Sequence, residues 1–366
     1  MKAIKLLPGT TNVRCSEHEE PQIRAADEVK LRVLEVGICG TDRELAAGGR
    51  ASAPPGEEEL ILGHEMLGEV VEVGENVLLF KKGDLAVVTV RRSCNECDLC
   101  IKGFPDFCVS EHYKERGIKG LHGFQSTWVV DHEKFLVKIP HSLRSCGVLC
   151  EPMSVIEKAI DELLVIQKTR LPLWANQEEY KNKQVLVVGL GPLGLLACVI
   201  LRLRAFKVYA MDIVSRESKR AEIAEEIGGT YIDGREIKHR DFSSKYGQMD
   251  IIVEATGVAS LAYSILDTLG VNGGAVFTGI PEPHGTFEIE GAYLMNHLVL
   301  KNQVLLGSVN AGQRYWELAL VDLENAKKRW GKTIEKLITS RVPYDQFKEL
   351  FLSKHADEIK VVITWQ

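Results

Sequence analysis

The sequence has no extended basic run. Its longest is Lys327-Lys328-Arg329, and 45 Lys and Arg against 51 Asp and Glu leave a net charge of −6. A nucleic-acid surface would need a basic stripe, so that class of partner is excluded. A long uninterrupted apolar segment is also missing. Residues 1–7 run into a polar stretch with no signal-like apolar region. Residues 185–201 carry no charge and approach membrane-spanning length. Gly189, Gly191, Pro192 and Gly194 break them into a strand, a tight turn and a buried helix, so no membrane partner is expected. Repeats and low-complexity segments are absent too. What remains is ordinary globular composition: 366 residues, 45% hydrophobic and 26% charged, enough for about two domains that need no disulfide staples.

The nine cysteines are odd in number and uneven in placement. Cys94, Cys97, Cys100 and Cys108 follow the pattern C-x2-C-x2-C-x7-C. With no export signal, this clustering reads as a metal site in a reducing, cytoplasmic setting. Four thiolates at such spacing wrap a tetrahedral zinc and leave no position for substrate, so the expected role is structural. The lobe, about residues 92–110, carries Gly103, Pro105 and Asp106 and has little core of its own; the metal would order it. The seven-residue last gap and the lack of a second cysteine set argue against an iron–sulfur cluster.

The first 140 residues read as mostly β, with short apolar runs at 29–36, 68–73 and 85–90 between Gly- and Asp-containing turns. A helix is expected over 151–167, then a polar connector over 169–183. Strands at 184–188, 207–211, 250–254 and 274–278 alternate with helices at 192–203, 215–227 and 259–269. That order implies βαβ units and a parallel sheet. A helix over 315–326 and a strand over 359–364 close the chain. The expected fold class is α/β with a β-rich second domain.

Gly189-x-Gly191-Pro192-Leu193-Gly194 follows an apolar strand and opens an apolar helix, as a dinucleotide-binding fingerprint requires. Gly189 makes the turn, Gly191 admits the pyrophosphate to the backbone, and Gly194 lets helix and strand pack closely. Asp212 ends the next strand, where an acid accepts hydrogen bonds from the adenosine ribose and repels a 2′-phosphate. NAD is therefore favoured; Arg216, four residues on, keeps NADP open. Thr256, Gly257, Thr278, Ser308 and Val309 lie at strand ends or in the loops that follow, the side on which such sheets bind ligands.

Three further segments carry metal-ligand chemistry. Gly37-Ile38-Cys39-Gly40-Thr41-Asp42 presents a thiol at a turn, Gly63-His64-Glu65 sets imidazole beside carboxylate, and Cys150-Glu151-Pro152 puts a carboxylate before the long helix. A catalytic zinc takes about three such ligands and keeps one position exchangeable. Spacing alone does not bring Cys39, His64 and Glu151 together.

Taken in order, G-x-C-G-T-D at 37–42, G-H-E at 63–65, the four-cysteine lobe, E-P at 151–152 and the fingerprint at 189–194 resemble the zinc-containing, medium-chain alcohol dehydrogenases over essentially the whole chain. The resemblance implies a GroES-like catalytic domain (1–182), a Rossmann domain, the doubly wound parallel sheet that binds the cofactor (183–309), and a C-terminal segment returning to the first (310–366). Cys39–Arg43, Val90-Arg91-Arg92, Glu115–Ile118, 121–124, 151–153, 156–158, 307–310 and 359–363 are similar to the glucose (aldose) 1-dehydrogenase branch. For that branch the resemblance implies two zincs per chain. The catalytic zinc would be held by Cys39, His64 and a carboxylate from Glu65 or Glu151, or both by exchange. Glu115 and Asn310 would bind sugar hydroxyls, Glu151 would lie at the substrate, and the protein would be a homo-oligomer, tetramer or dimer. Val90 and Leu300 stand where some members carry Asn and His that touch the sugar, and Asp212 where many carry Asn. The resemblance implies oxidation of an aldose, D-glucose at C1 to the aldonolactone first among them: the hydroxyl gives up its proton, with Thr41 as the relay, and the carbon that bears it gives hydride to the dinucleotide. Polyol, secondary-alcohol or threonine oxidation, and a non-catalytic NAD(P)H-binding relative, are the alternatives.

Overall fold

The computed structural model describes residues 1–237, 239–281, 286–355 and 357–365, with the side chains of His239 and Arg240 left aside. The chain forms two compact units. One comprises Met1–Ser154, Asn310–Glu324 and Ile338–Gln366; the other comprises Val155–Val309 and Asn325–Leu337. The border thus falls inside the helix Cys150–Arg170 and not near residue 182. The reason lies in what this helix touches. Gln167 donates to the Asn272 carbonyl at 2.9 Å, Lys158 donates to the Val309 carbonyl at 3.1 Å, and Glu157 is paired with Arg204, all within the second unit. Asn325–Leu337 joins that unit through Lys336, which pairs with Glu222 and Glu226.

In the first unit the long strand Glu28–Gly37 is buried along nearly its whole length, because neighbours flank it on both sides. It pairs antiparallel with Glu65–Val73, with Trp128–His132 and with the late strand Lys360–Thr364. The register sets Gly37 opposite both Glu65 and Val362. Leu85–Val88, Leu136–Ile139 and Ile338–Pro343 complete this seven-stranded sheet. Lys2–Leu6 joins Val13–Glu17 and Leu60–Ile61 in a second sheet, and Arg91–Arg92, Lys114–Arg116 and Gly120–Leu121 form a third.

Asp131 ties the third sheet to the first. One of its carboxylate oxygens accepts from Arg92 at 2.5 Å and from Arg116 at 2.8 Å. Burial pushes this carboxyl up, but the two guanidiniums outweigh burial and hold it below the usual range. A depressed carboxyl stabilises the fold above its unfolded pKa, and the contribution is lost as pH falls through the lower, folded value. Asp131→Asn should therefore cost about 3 kcal/mol or more near neutral pH, since it strands two buried cations. The cost should shrink on acidification. Urea denaturation at several pH values checks this; an equal loss at every pH would contradict it.

The second unit is a six-stranded, all-parallel sheet in the order Thr230–Asp233, Lys207–Asp212, Gln184–Val188, Met249–Glu254, Leu269–Phe277, Val304–Gly307. The chain starts in the middle, builds outward on one side, then crosses over. This leaves a switch point between Gln184–Val188 and Met249–Glu254, where such sheets bind ligands. Leu186, Val188, Tyr209, Met211, Phe242 and Ile252 pack in its core. The helix expected from residue 215 begins at Lys219, because Ser218 caps it, its hydroxyl accepting from the Ala221 amide. The one expected over 259–269 is an α-helix, Ala259–Ser264, and a 3-10 turn, Ile265–Thr268; Leu269 already starts a strand. Among the described residues no helix is long and apolar enough to cross a membrane.

Candidate active site

The Gly37–Glu65 pairing brings two strand ends together, and the residues just beyond them converge. Cys39 leaves one strand and begins the helix Gly40–Ala46; its amide donates to the Asp42 carboxylate at 2.8 Å. Gly63, at φ 87°, turns the chain into the other strand, and His64 and Glu65 follow. Ligand atoms of Cys39, His64 and Glu65 lie within 4.8 Å of one another, with His64 and Glu65 buried. Thiol, imidazole and carboxylate in one cluster suit zinc, Cys39 being half-buried and the other two buried. Asp42, fully buried, sets Oδ1 3.4 Å from His64 Nδ1. A carboxylate behind one ring nitrogen suits a tautomer that would leave Nε2 for a metal, although at this spacing neither atom makes a hydrogen bond.

Lys360, 2% exposed, donates to both Glu65 oxygens at 2.6 Å and to the Ile38 carbonyl at 3.2 Å. Glu151 stands outside the three-residue cluster, in the first turn of Cys150–Arg170. Burial pushes its carboxyl up, His64 pulls it down, Glu65 raises it again, and the net value is about 7. Asp42 and Lys360 were not singled out by sequence reading. Asp42 carries a local signal, three residues after Cys39 in a helix's first turn. Lys360 carries only a weak one, a cation in an apolar strand.

The sulfurs of Cys94, Cys97, Cys100 and Cys108 form a second such group. Asn95 takes a left-handed φ of 59°, so the chain folds back and the amides of Glu96 and Cys97 donate to Cys94 sulfur at 3.4 Å. The Cys100 backbone draws the Cys97 thiol down to about 6, and burial pushes Cys108 up to about 12. All nine cysteines are free thiols. This arrangement of sulfurs fits a tetrahedral thiophilic ion. A third group, His18, Glu57 and His122, differs. His122 Nδ1 accepts the Ile61 amide at 3.1 Å, so the proton sits on Nε2, which faces Glu57 at 2.8 Å. That makes it a hydrogen-bonded pair and not a ligand set.

Gly117 packs on the turn before His64: a Cβ there would come 2.3 Å from the Gly63 carbonyl oxygen. Two residues earlier, Glu115 meets Arg91 Nη2 at 3.2 Å. Asn310 adopts φ 52°, and its buried side-chain oxygen has no partner. Thr41 is half-buried in the first turn of Gly40–Ala46.

In the second unit Gly191 caps the helix Pro192–Leu203, with Pro192 and Leu193 opening it. A Cβ on Gly191 would meet nothing within 4 Å, whereas one on Gly194 would come 1.7 Å from the Gly189 carbonyl oxygen. One glycine leaves room and the other permits close packing, as a pyrophosphate cradle needs. Asp212 accepts from the Leu190 and Ile213 amides at 2.7 Å and lies 3.6 Å from Arg220, which sequence reading passed over. Arg216 turns away, to Glu225 and the Tyr231 carbonyl.

The hydroxyls expected near the nicotinamide are spent within the unit. Those of Thr256 and Thr278 donate to Glu254, and that of Ser308 to Glu162 at 2.9 Å. Glu254, buried and also unforeseen, accepts the Gly257 amide at 3.1 Å. It lines a cavity of about 190 Å³ with Gly257, Tyr263, Phe277 and Gly279. Val309 is exposed, its carbonyl held by Lys158.

Residues 25–141 match the alcohol dehydrogenase GroES-like domain, and residues 144–365 match the glucose dehydrogenase C-terminus family. The chain is 38% identical over 367 residues to the glucose 1-dehydrogenase of Thermoproteus tenax, covering 100% of both. It is 36% identical over 365 residues to that of Methanocella arvoryzae, covering 99% of both. Among solved structures, Haloferax mediterranei glucose dehydrogenase in complex with NADP, Zn and gluconolactone superposes with a TM-score of 0.88 at 32% identity. That match covers 100% of this chain and 99% of the other. This chain belongs to the glucose 1-dehydrogenase branch of the zinc-containing, medium-chain alcohol dehydrogenases.

Proposed function

We propose that the chain oxidises D-glucose at C1 to gluconolactone, with a nicotinamide dinucleotide as hydride acceptor. The observation that carries this reading is the Cys39–His64–Glu65 cluster, in a chain similar over its full length to glucose 1-dehydrogenases. Cys39, His64 and a carboxylate of Glu65 or Glu151 would hold the catalytic zinc, and the four-cysteine lobe a structural one. Zinc would supply Lewis acidity toward a hydroxyl, and the dinucleotide a two-electron acceptor. Asp42 orients the His64 ring, and Lys360 neutralises Glu65. Thr41 takes the hydroxyl proton; among the described residues its side chain makes no hydrogen bond to the chain, which leaves it free to relay. Glu115, Glu151 and Asn310 engage sugar hydroxyls, in keeping with the unpartnered Asn310 oxygen.

The dinucleotide rests on Gly189–Gly194, with Asp212 at the adenosine ribose and Thr256, Gly257, Thr278, Ser308 and Val309 toward the nicotinamide. The three inward-turned hydroxyls leave backbone groups to make those last contacts. NAD is preferred, because Asp212 repels a 2′-phosphate while Arg216 is drawn to Glu225. A second copy of the chain covers the helix Gly291–Leu300. This helix buries none of its residues, exposes Met295, Val299 and Leu300, and precedes the edge strand Val304–Gly307. Nine free thiols suit a cytoplasmic, reducing setting.

Initial rates with D-glucose, D-galactose, D-xylose, sorbitol, ethanol and L-threonine, each with NAD and NADP, test the reading. Turnover of aldoses with NAD favoured is expected. Asp212→Ala should shift the ratio of kcat/KM values toward NADP by about 10-fold or more. Activity on open-chain alcohols alone would sink the sugar assignment, and an unmoved cofactor ratio would sink the role of Asp212.

A further inference from the structure

Arg91 is held more tightly than a surface arginine needs to be. It sits directly opposite Glu115 in the antiparallel pair Arg91–Arg92 and Lys114–Arg116. The two side chains are 9% and 15% exposed, and Nη2 lies 3.2 Å from Glu115 Oε1. Its guanidinium carbon lies 3.7 Å from the Tyr113 ring centroid, and Lys119 Nζ lies 3.9 Å from the same centroid. The Glu115 backbone is pinned as well: its amide donates to the Lys119 carbonyl at 2.8 Å, and the Arg116 amide donates to the Val90 carbonyl at 3.1 Å. Yet Arg91 Nε is buried with no partner. A buried charged donor without an acceptor is costly and rare, so its partner is best sought in a ligand.

The ligand's chemistry follows from the pair. An anion drawn to Nε would meet the Glu115 carboxylate at once. A group that both accepts from Nε and donates to the carboxylate is neutral and carries both functions, as a sugar hydroxyl does. Gly117, packed on Gly63, ties this loop to the turn that carries His64. The Val90 side chain carries no polar atom.

We infer that Arg91 is a substrate-binding residue: one sugar hydroxyl sits between Arg91 Nε and the Glu115 oxygen that Nη2 leaves free. The inference rests on the reading of Glu115 as a sugar contact. Kinetics of the zinc-loaded enzyme with D-glucose and its 2-, 3-, 4- and 6-deoxy analogues test it, using Arg91→Met, Arg91→Lys and Glu115→Gln. Arg91→Met should raise the glucose KM by about 10-fold or more while kcat changes less than about threefold. The KM for the dinucleotide and the zinc content should match the unaltered enzyme. One deoxy analogue should be as poor for the unaltered enzyme as glucose is for Arg91→Met, and for that analogue the substitution should cost nothing further. Arg91→Lys, which keeps the charge beside Glu115 but lacks Nε, should recover only part of the loss. It carries the same comparison if the Met variant fails to fold. A KM rise equal for every analogue would overturn the inference, leaving Arg91 as a prop for Glu115 and the Glu115 reading intact. An unchanged glucose KM in Glu115→Gln would overturn the Glu115 reading itself and the shared seat with it.

Discussion

Replacing His64 with Ala should lower kcat/KM for D-glucose by at least about 1,000-fold and remove the zinc proposed for the Cys39–His64–Glu65 cluster, about one equivalent per chain. His64 is 4% exposed and enters a strand whose register is set elsewhere, so the sheet should survive its loss. The proposed ligand set would lose its only nitrogen donor. Cys39 remains, Glu65 remains bound to Lys360, and Asp42 faces an empty space where an imidazole stood. Such a remnant does not retain a metal whose ligands must share one buried point. The four sulfurs of the lobe are untouched and should keep their ion. Metal analysis of the purified variant, circular dichroism and initial rates with glucose decide the matter. Retention of both ions, or a zinc-depleted variant with a tenth of the original activity, would show that the cluster is not the catalytic centre.

Cys97→Ser should have the largest effect on stability. The lobe around it exposes Ile101, Phe104, Phe107 and Val109, and of its four cysteines only Cys100 is buried. A segment with so little apolar burial cannot offset the entropy of its own ordering. Metal–sulfur bonds of the proposed structural zinc would supply the difference, and breaking one of four would forfeit most of it. The variant should lose about one zinc per chain, become cleavable within 94–110, and lose about 3 kcal/mol or more of stability. Residual turnover should persist in whatever fraction keeps the rest of the fold, because Cys39 and His64 lie in other segments. Limited proteolysis with mass analysis, alongside thermal unfolding, checks this. A metal-free lobe that resists protease as well as the original would remove the structural role.

These two centres were not equally legible. The four cysteines lie within one loop, so their spacing alone announces a metal. The fingerprint Gly189–Gly194 is likewise a strand, a turn and a helix in direct succession, and each glycine's place follows from that local order. Backbone conformation and short-range packing act over a few residues, and that is the range a linear pattern records. Cys39 and His64 stand 25 residues apart and were joined beforehand only by resemblance. Their meeting depends on the pairing of Gly37 with Glu65.

Sheet register decided the rest. Lys360 reaches Glu65 across 295 positions because its strand pairs beside Gly37, and nothing in an apolar run marks which cation will be buried with which acid. Arg91 meets Glu115 for the same reason. The hydroxyls of Thr256, Thr278 and Ser308 stand at the expected strand ends but turn inward to Glu254 and Glu162, a choice made by neighbouring strands and helices. The sequence by itself determined the domain types, the lobe and the cofactor turn, all held together by near neighbours. Only the tertiary structure decided which carboxylate lies in the cluster, which cation answers it and which polar atoms remain free for substrate. Those depend on contacts between segments far apart in the chain, and periodicity carries no record of them.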